Sequence, residues 1–513
     1  MLAKVLSYGL NGIEGYPVTV EADIQSGLSK FDIVGLADTA VKESKDRVKA
    51  SIKNSGYQYP IDAITINLAP ADKKKEGPLY DLPIAVALLC ANGTINYNKV
   101  KNIIFIGELS LDGQVKKVNG ILPILISARA KGYKNFIIPE ENANEASFID
   151  GISVGVVKSL TQIVNHFVNA EETPIVKVKT SNFNEIQQEE LAGVIDMKNV
   201  KGQASAKRAL EIAAAGGHNI LMIGPPGSGK TLLAKCFPGI LPEMTFEEAL
   251  EVTKIHSIAG ELDERRGIIT NRPFRSPHHT ATTVALAGGG KNSKPGEISL
   301  AHNGVLFLDE LPEYNRQFIE TLRQPLEDGQ ITVARASQTI TYPASFTLIA
   351  SMNPCPCGNY GSRIQKCTCT PSQIHKYLSK LSGPIMDRID LHVEVDSVTY
   401  DDLTSKKEEE SSIDIKKRVN KARQIQVERF KNSKIYSNAK MNVVQTKKYC
   451  NLNSEAEALV KNAFDKLKLS ARAHDRILKV ARTIADLAGS EEILPEHIAE
   501  AIQYRSLDRK YWL

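Results

Sequence analysis

Eight residues near the middle of the chain, Gly224-Pro225-Pro226-Gly227-Ser228-Gly229-Lys230-Thr231, have the composition and spacing of a loop that cradles phosphates. Glycine lets backbone N–H groups approach an anion closely, Lys230 places a point charge at the outer phosphates, and the Thr231 hydroxyl suits Mg²⁺ ligation. Asp309 and Glu310 are adjacent acids closing the apolar run Val305-Leu306-Phe307-Leu308. Paired with a phosphate loop, Asp309 is expected to hold Mg²⁺, directly or through water, and Glu310 to orient and deprotonate the attacking water. Asn353 offers a neutral amide that can position that water against a γ-phosphate. The chemistry these residues support together is Mg²⁺-dependent hydrolysis of ATP. A separate cluster, Cys355, Cys357, Cys367 and Cys369, supplies four thiols, a set that tetrahedral Zn²⁺ accepts. Its C-x-C spacing is tighter than the usual C-x-x-C and leaves free thiols or redox chemistry as the other reading.

These groups need strands and helices to hold them. The phosphate loop follows the apolar run 220–223 and precedes a helix from Leu232, the strand–turn–helix context that aims a helix N-terminus at an anion. A helix is expected from Gly202-Gln203 to Ala215, and a strand from Phe346 to Ala350 that delivers Asn353. Residues 331–347 read as two strands joined near Arg335-Ala336-Ser337. Upstream, runs at Val18–Ile24, Phe31–Val34, 63–68, 103–107 and 136–138 alternate with helical stretches at 38–55, 81–91 and up to Lys131. That alternation predicts an α+β unit with its own core. Downstream, Ser470 offers an N-cap to a helix with apolar residues Ile477, Val480, Ala481, Ile484, Leu487 and Ala488 at helical spacing, and Ala499–Arg505 closes a helical bundle. The divisions expected are 1–170 for the α+β unit, 171–190 for a polar linker, 191–400 for the motor core and 401–513 for C-terminal helices.

At 513 residues, 42% hydrophobic and 24% charged, the chain is soluble in composition and too long for one core. No apolar run approaches the roughly 18 residues of a membrane span, and the N-terminus lacks the layout of a signal peptide. With Cys90, Cys236 and Cys450 scattered, a reducing cytoplasmic location and no membrane partner are expected. A net charge of +5 does not by itself mark a nucleic-acid protein. Between Ile413 and Lys440, nine Lys/Arg face two acids; such a helix either tracks phosphates or presents a solvated face. The same two readings apply to Lys73-Lys74-Lys75.

Several strings resemble known families. Glu76-Gly77-Pro78-Leu79, Gly107-Glu108-Leu109-Ser110-Leu111-Asp112-Gly113 and Ile138-Pro139-Glu140-Glu141-Asn142 are similar to the proteolytic domain of Lon-type proteases, a ribosomal S5 domain 2-like fold. Those enzymes use a Ser-Lys dyad, and here Leu79 and Leu122 stand at the two places, so the resemblance implies a non-catalytic Lon-like domain. The ATP motifs resemble those of AAA+ ATPases. Phe274-Arg275-Ser276-Pro277-His278-His279-Thr280-Ala281, Gly288-Gly289-Gly290 and Lys294-Pro295-Gly296-Glu297-Ile298-Ser299-Leu300-Ala301-His302 are similar to the helix-2 insert of magnesium-chelatase-like proteins. The hairpin at Arg335 resembles one shared with minichromosome maintenance helicases, and His278 and His279 read as packing or hydrogen-bonding residues with a metal role as the alternative.

Leu381-Ser382-Gly383-Pro384-Ile385-Met386-Asp387-Arg388-Ile389-Asp390 resembles the arginine-finger segment of this clade, which implies that Arg388 reaches a neighbour's ATP; the alternative is an intrachain pair with Asp387 or Asp390. Arg472, in Leu469-Ser470-Ala471-Arg472-Ala473, resembles the second-sensor arginine of a helical lid. The whole chain is thereby similar to the ComM/YifB group of magnesium-chelatase-like AAA+ ATPases. That resemblance implies a hexameric ring driving DNA branch migration or helicase movement in recombination or natural transformation, with Arg335 touching single-stranded or branched DNA. Chelatase-like or remodelling action on protein partners is the alternative, and an ATP-dependent protease would need a nucleophile.

Overall fold

Leu2–Asn11 and Glu14–Gln25 pair antiparallel across a two-residue turn, Asn11 facing Glu14, and begin an eight-stranded mixed sheet. The structure is a computed structural model and describes residues 2–168, 174–188, 195–263, 265–290, 293–335, 338–361, 365–397, 404, 408–431, 433, 435–467, 469–507 and 511. The strand order of this sheet is Val176–Lys177, Ser153–Val157, Asn135–Pro139, Ile104–Phe105, Leu2–Asn11, Glu14–Gln25, Ala63–Ala69 and Lys30–Val34. The helix Asp81–Ala91 is apolar all round after its first residue and buried over its whole length, so it forms the centre of the unit rather than its cover. Asp81 itself is buried, and is held by Arg47 Nε at 2.6 Å and the Leu109 N–H at 3.2 Å, the pairing a buried charge requires. Leu2–Asn11 and Ser153–Val157 have no counterpart in the sequence reading. Part of the stretch read as a linker is also built into the fold. Val176–Lys177 adds an edge strand to Ser153–Val157, and Phe183 packs edge-on against Phe246.

A second sheet has five strands, all parallel, in the order Phe274–Arg275, Val305–Leu308, Thr347–Met352, Ile220–Ile223 and Leu391–Glu394. Its strands Ile220–Ile223 and Val305–Leu308 read as continuous apolar runs because both faces are covered. Ile220, Met222, Val305, Phe307 and Ile349 face one core; Leu221, Ile223, Leu306, Leu308 and Leu348 face the other. The first core also contains residues of the helices Ala204–Gly216, Ser412–Arg429 and Ala471–Ala488, so the C-terminal helices share a core with this sheet. The Ala471–Ala488 helix starts where its sequence predicts, with Ser470 accepting from the Ala473 N–H at 3.2 Å. The second core takes in the hairpin Gln330–Arg335 and Gln338–Pro343 through Ile331, Val333, Ile340 and Tyr342. The result is a mixed α/β chain with a parallel sheet at its centre.

The N-terminal unit touches the motor segment at defined points. Ser257 accepts from the Gly120 N–H at 3.1 Å and donates to Glu145, whose carboxyl burial pushes above the usual range. At the Leu2–Gln25 turn, Gly12 has φ +61, and a Cβ there would fall 2.6 Å from Ile340 Cγ2 of the hairpin. Many cations of the 413–440 stretch are engaged within the chain: Lys416 with Glu243, Lys417 with Asp414, Arg418 with Glu211 and Glu410, Arg423 with two carbonyls, and Arg429 with Asp486. Among Lys73-Lys74-Lys75, Lys75 is buried on the Lys73 carbonyl, Lys74 pairs with Glu76 and Lys73 lies over the Tyr16 ring. Among the described residues no helix is long and apolar enough to cross a membrane.

Candidate active site

Three neighbouring strands of the parallel sheet end at one edge, each followed by a residue of the expected site: Ile220–Ile223 by the phosphate loop, Val305–Leu308 by Asp309 and Glu310, Thr347–Met352 by Asn353. The carboxyl edge of a parallel sheet is where such folds bind ligands. Lys230 opens the following helix, Lys230–Cys236, and its ammonium donates to the carbonyls of Gly224 and Pro225 at 2.7 and 2.8 Å and to Asn353 Oδ1 at 3.3 Å. Burial pushes this lysine down to about 8, against the opposing pull of Asp309 and Glu310. Lys230 and Asn353, 123 positions apart, are therefore in contact.

The Thr231 hydroxyl donates to Asp309 Oδ2 at 2.8 Å. An octahedral Mg²⁺ with bonds near 2.1 Å sets adjacent ligand oxygens about 3 Å apart, so this pair fits two neighbouring positions around the ion. The other Asp309 oxygen accepts from the Ser351 hydroxyl and from the Glu310 N–H at 3.1 Å. Glu310 has φ 53 and ψ 49, a left-handed conformation that costs a non-glycine residue about 1–2 kcal/mol. Its N–H, shared between Asp309 Oδ1 and Ser351 Oγ at 3.3 Å, holds it there, and the residue is exposed. Ser351 was not singled out in the sequence, although a buried hydroxyl inside the apolar strand Thr347–Met352 is the kind of residue that needs a partner. Gln203 was missed as well. It sits at φ 58 ahead of the Ala204–Gly216 helix, and its side-chain amide donates to the Asp396 carbonyl at 2.6 Å and, more weakly, to that of Ser228 in the phosphate loop.

Arg388 and Arg472 lie apart from this centre. Arg388 is 4% exposed, and its guanidinium bonds the Pro384 carbonyl at 2.7 Å and pairs with Glu327, not with Asp387 or Asp390. Asp390 instead binds Arg476 and His218, which hold its carboxyl far below the usual range despite burial. Arg472 is exposed in the first turn of Ala471–Ala488 and acts on Glu327 through its charge. Among the described residues no hydrogen bond or ion pair joins either arginine to the phosphate loop. Arg335 ends the first hairpin strand opposite Gln338, and its side chain lies outside the described residues. His278 bonds Thr280, and its ring lies 4.1 Å from that of His279, which packs edge-on to Tyr314.

Leu79 and Leu122 are buried, 8% and 1% exposed. Leu79 lines a cavity of about 680 Å³ between the N-terminal unit and the motor segment, together with Lys117, Lys294 and Tyr342. The four cysteines converge, all four sulfurs lying within 4.8 Å of one another, an arrangement that could bind a metal ion.

Comparison with known proteins follows this organisation. A family described as magnesium chelatase, subunit ChlI, matches residues 196–403; a model of subunit ChlI of Mg-chelatase matches 20–142, and the ChlI C-terminal model matches 409–505. Competence protein ComM of Haemophilus influenzae is 43% identical over 99% of this chain and 98% of its own length. Protein YifB of Escherichia coli is 44% identical over 97% of this chain and 96% of its own. The magnesium-chelatase 67 kDa subunit of Chlorobaculum parvum is 28% identical over 31% of this chain and 24% of its own.

Proposed function

The chain belongs to the ComM/YifB group of magnesium-chelatase-like AAA+ ATPases, and from that membership we propose that it is a cytoplasmic, ring-forming motor that uses ATP to move branched or single-stranded DNA during recombination or natural transformation. The observation that carries the reading is the contact set at one sheet edge: Lys230 on Asn353, Thr231 on Asp309, and the Glu310 N–H on Ser351. Lys230 and the loop amides bind the outer phosphates. Thr231 and Asp309 hold Mg²⁺, which supplies charge neutralisation when bound. Glu310 takes the proton from the attacking water, and Asn353 orients that water. Because Asn353 also touches Lys230, a change at the γ-phosphate reaches the strand that follows the hairpin.

In this reading the N-terminal unit, residues 1–170, is a Lon-like domain without its dyad. The 191–400 segment is the motor, and residues 401–513 form a helical lid carrying Arg472. Arg388 serves a neighbouring subunit's nucleotide in a hexamer. Its partner Glu327 keeps more than half of its side-chain surface exposed, so a neighbouring subunit can compete for that ion pair. The thiol cluster carries Zn²⁺ as a structural ion, since all four tetrahedral positions are filled by protein. The hairpin around Arg335 contacts the nucleic-acid backbone, which carries little sequence information, as a translocating motor requires.

Purified protein with Mg²⁺ and ATP should unwind a synthetic fork or move a Holliday junction. Arg335→Ala should keep DNA-independent ATP hydrolysis while losing DNA-stimulated hydrolysis and junction movement together. Hydrolysis by the parent protein that ignores every DNA offered would refute this function and favour remodelling of protein partners.

A further inference from the structure

The four thiols sit where they can do more than close a loop. Cys355 Sγ lies 3.4 Å from Cys357 Sγ and 3.7 Å from Cys367 Sγ, and Cys357 and Cys367 are 3.6 Å apart. Four thiolates bound at about 2.3 Å around one tetrahedral Zn²⁺ have sulfurs about 3.8 Å apart, so the observed separations are those of a site closing on one ion. Backbone N–H groups point at the sulfurs, Tyr360 to Cys355 at 3.3 Å and Cys357 to Cys369 at 3.4 Å, as supports for developed negative charge. Among the described residues this is the one His/Cys/Asp/Glu cluster of such geometry.

The cluster is joined to the nucleotide site from two sides. Cys355 follows Asn353 by two residues, so the chain leaving the sensor amide enters the thiol loop directly. Gly358, with φ +80, packs on the phosphate loop so closely that a Cβ there would fall 2.4 Å from Pro226 Cδ. On its far side the loop runs from Cys369 into the capped helix Pro371–Leu378, whose Tyr377 hydroxyl meets the Asn353 backbone. Tyr360 of the same loop packs edge-on to Tyr511 near the C-terminus, and Tyr511 donates to Glu394 at 2.9 Å.

We infer that the Cys355, Cys357, Cys367 and Cys369 loop, once closed on Zn²⁺, acts as a positioning element for the phosphate loop, so that metal and nucleotide binding to this chain are energetically linked. This rests on the reading of the cluster as a zinc site. Closing four sulfurs on one ion fixes Gly358 against Pro226 and fixes the exit of Asn353, which holds the loop amides and Lys230 in their phosphate-binding arrangement. Without the ion, ordering this segment falls to the nucleotide. Linkage makes the effect reciprocal: whatever factor Zn²⁺ adds to nucleotide affinity, nucleotide adds to Zn²⁺ affinity.

The test uses the full chain, purified without chelator. Elemental analysis should give about one Zn²⁺ per chain. The ion is then removed with a thiol-reactive mercurial and restored, and ADP affinity is measured by calorimetry in both states. Zinc-loaded protein should bind ADP about tenfold more tightly, and Zn²⁺ competed against a chromophoric chelator should be held more tightly by the same factor when ADP is present. Gly358→Ala should keep its zinc while losing ADP affinity, and it decides the matter if the zinc-free chain unfolds. A chain that neither contains nor takes up Zn²⁺ would overturn the zinc reading itself. Zinc bound stoichiometrically, with ADP affinity unchanged on its removal or in Gly358→Ala, would leave the ion structural and overturn the linkage.

Discussion

Replacing Ser351 with alanine tests whether the geometry around Glu310 is built for catalysis. The hydroxyl donates to Asp309 and accepts from the Glu310 N–H at 3.3 Å, so its loss removes a hydrogen bond to a charged group and one of two acceptors that keep Glu310 left-handed. A hydrogen bond to a charged partner contributes about 1.5–3 kcal/mol, and the left-handed backbone it supports costs about 1–2 kcal/mol. Only the Asp309 contact at 3.1 Å would then remain on the Glu310 N–H. If about 1.4–2.8 kcal/mol of that loss is felt in the transition state, kcat for ATP falls roughly 10- to 100-fold. The Thr231–Asp309 contact at 2.8 Å is untouched, so ADP affinity should change by less than about threefold. Steady-state hydrolysis, ADP calorimetry and a thermal melt on the same preparation separate these effects from unfolding. Ser351→Thr, which keeps the hydroxyl on a strand-compatible side chain, should recover most of the rate. A folded Ser351→Ala protein with the parent kcat would show that Glu310 is not the base or that its turn does not need the serine.

Lys230 makes nucleotide binding and stability depend on pH in a definite direction. Burial holds it at about 8 against an ordinary 10.5, so between those values the unfolded chain binds more protons and stability rises with pH. Phosphates restore the charged form; nucleotide affinity should therefore weaken as pH rises past about 8, with proton uptake visible by calorimetry in buffers of different ionisation heat, and Lys230→Met should abolish both trends. Glu310→Gln should retain ADP while kcat drops by about 10²- to 10⁴-fold, the usual range for loss of a general base. Arg388→Ala alone should also be inactive, yet mixing it with Glu310→Gln should restore part of the hydrolysis at interfaces that pair an intact arginine with an intact base. ATPase activity independent of protein concentration and of Arg388 would refute the ring.

The grouping of Lys230, Asp309, Glu310 and Asn353 was legible because these residues follow strands that are mostly apolar, Ile220–Ile223, Val305–Leu308 and Thr347–Met352. Ile220–Ile223 and Asp81–Ala91 coincide with their expected bounds for the same reason, since burial on all sides leaves no other composition. Leu2–Asn11 escaped because Lys4, Ser7 and Tyr8 blur its alternation, and because one of its partners, Ile104, lies about a hundred residues away. Ser351 and Gln203 carry no motif; their importance comes from a left-handed backbone and from neighbours on other strands. The basic stretch 413–440 shows the converse. Its composition left phosphate tracking and a solvated face both open; it could not show that charges such as Arg418 and Arg429 have acids waiting on other helices, Glu211 and Asp486, which a one-dimensional count cannot pair.

The contact between Gly12 and Ile340 bears on how the hairpin of the proposed motor would move. The hairpin is rooted in the core through Ile331 and Tyr342, and Tyr342 is also tied to the Ser293 carbonyl at 2.8 Å. Against Ile340 rests the tip of a long two-stranded ribbon whose far end belongs to another hydrophobic core. If the hairpin moves as the proposed motor requires, it would either carry that ribbon along or be arrested by it. In the motor proposed above, an N-terminal unit with leucine rather than a nucleophile at position 79 would serve as an end-stop for the hairpin.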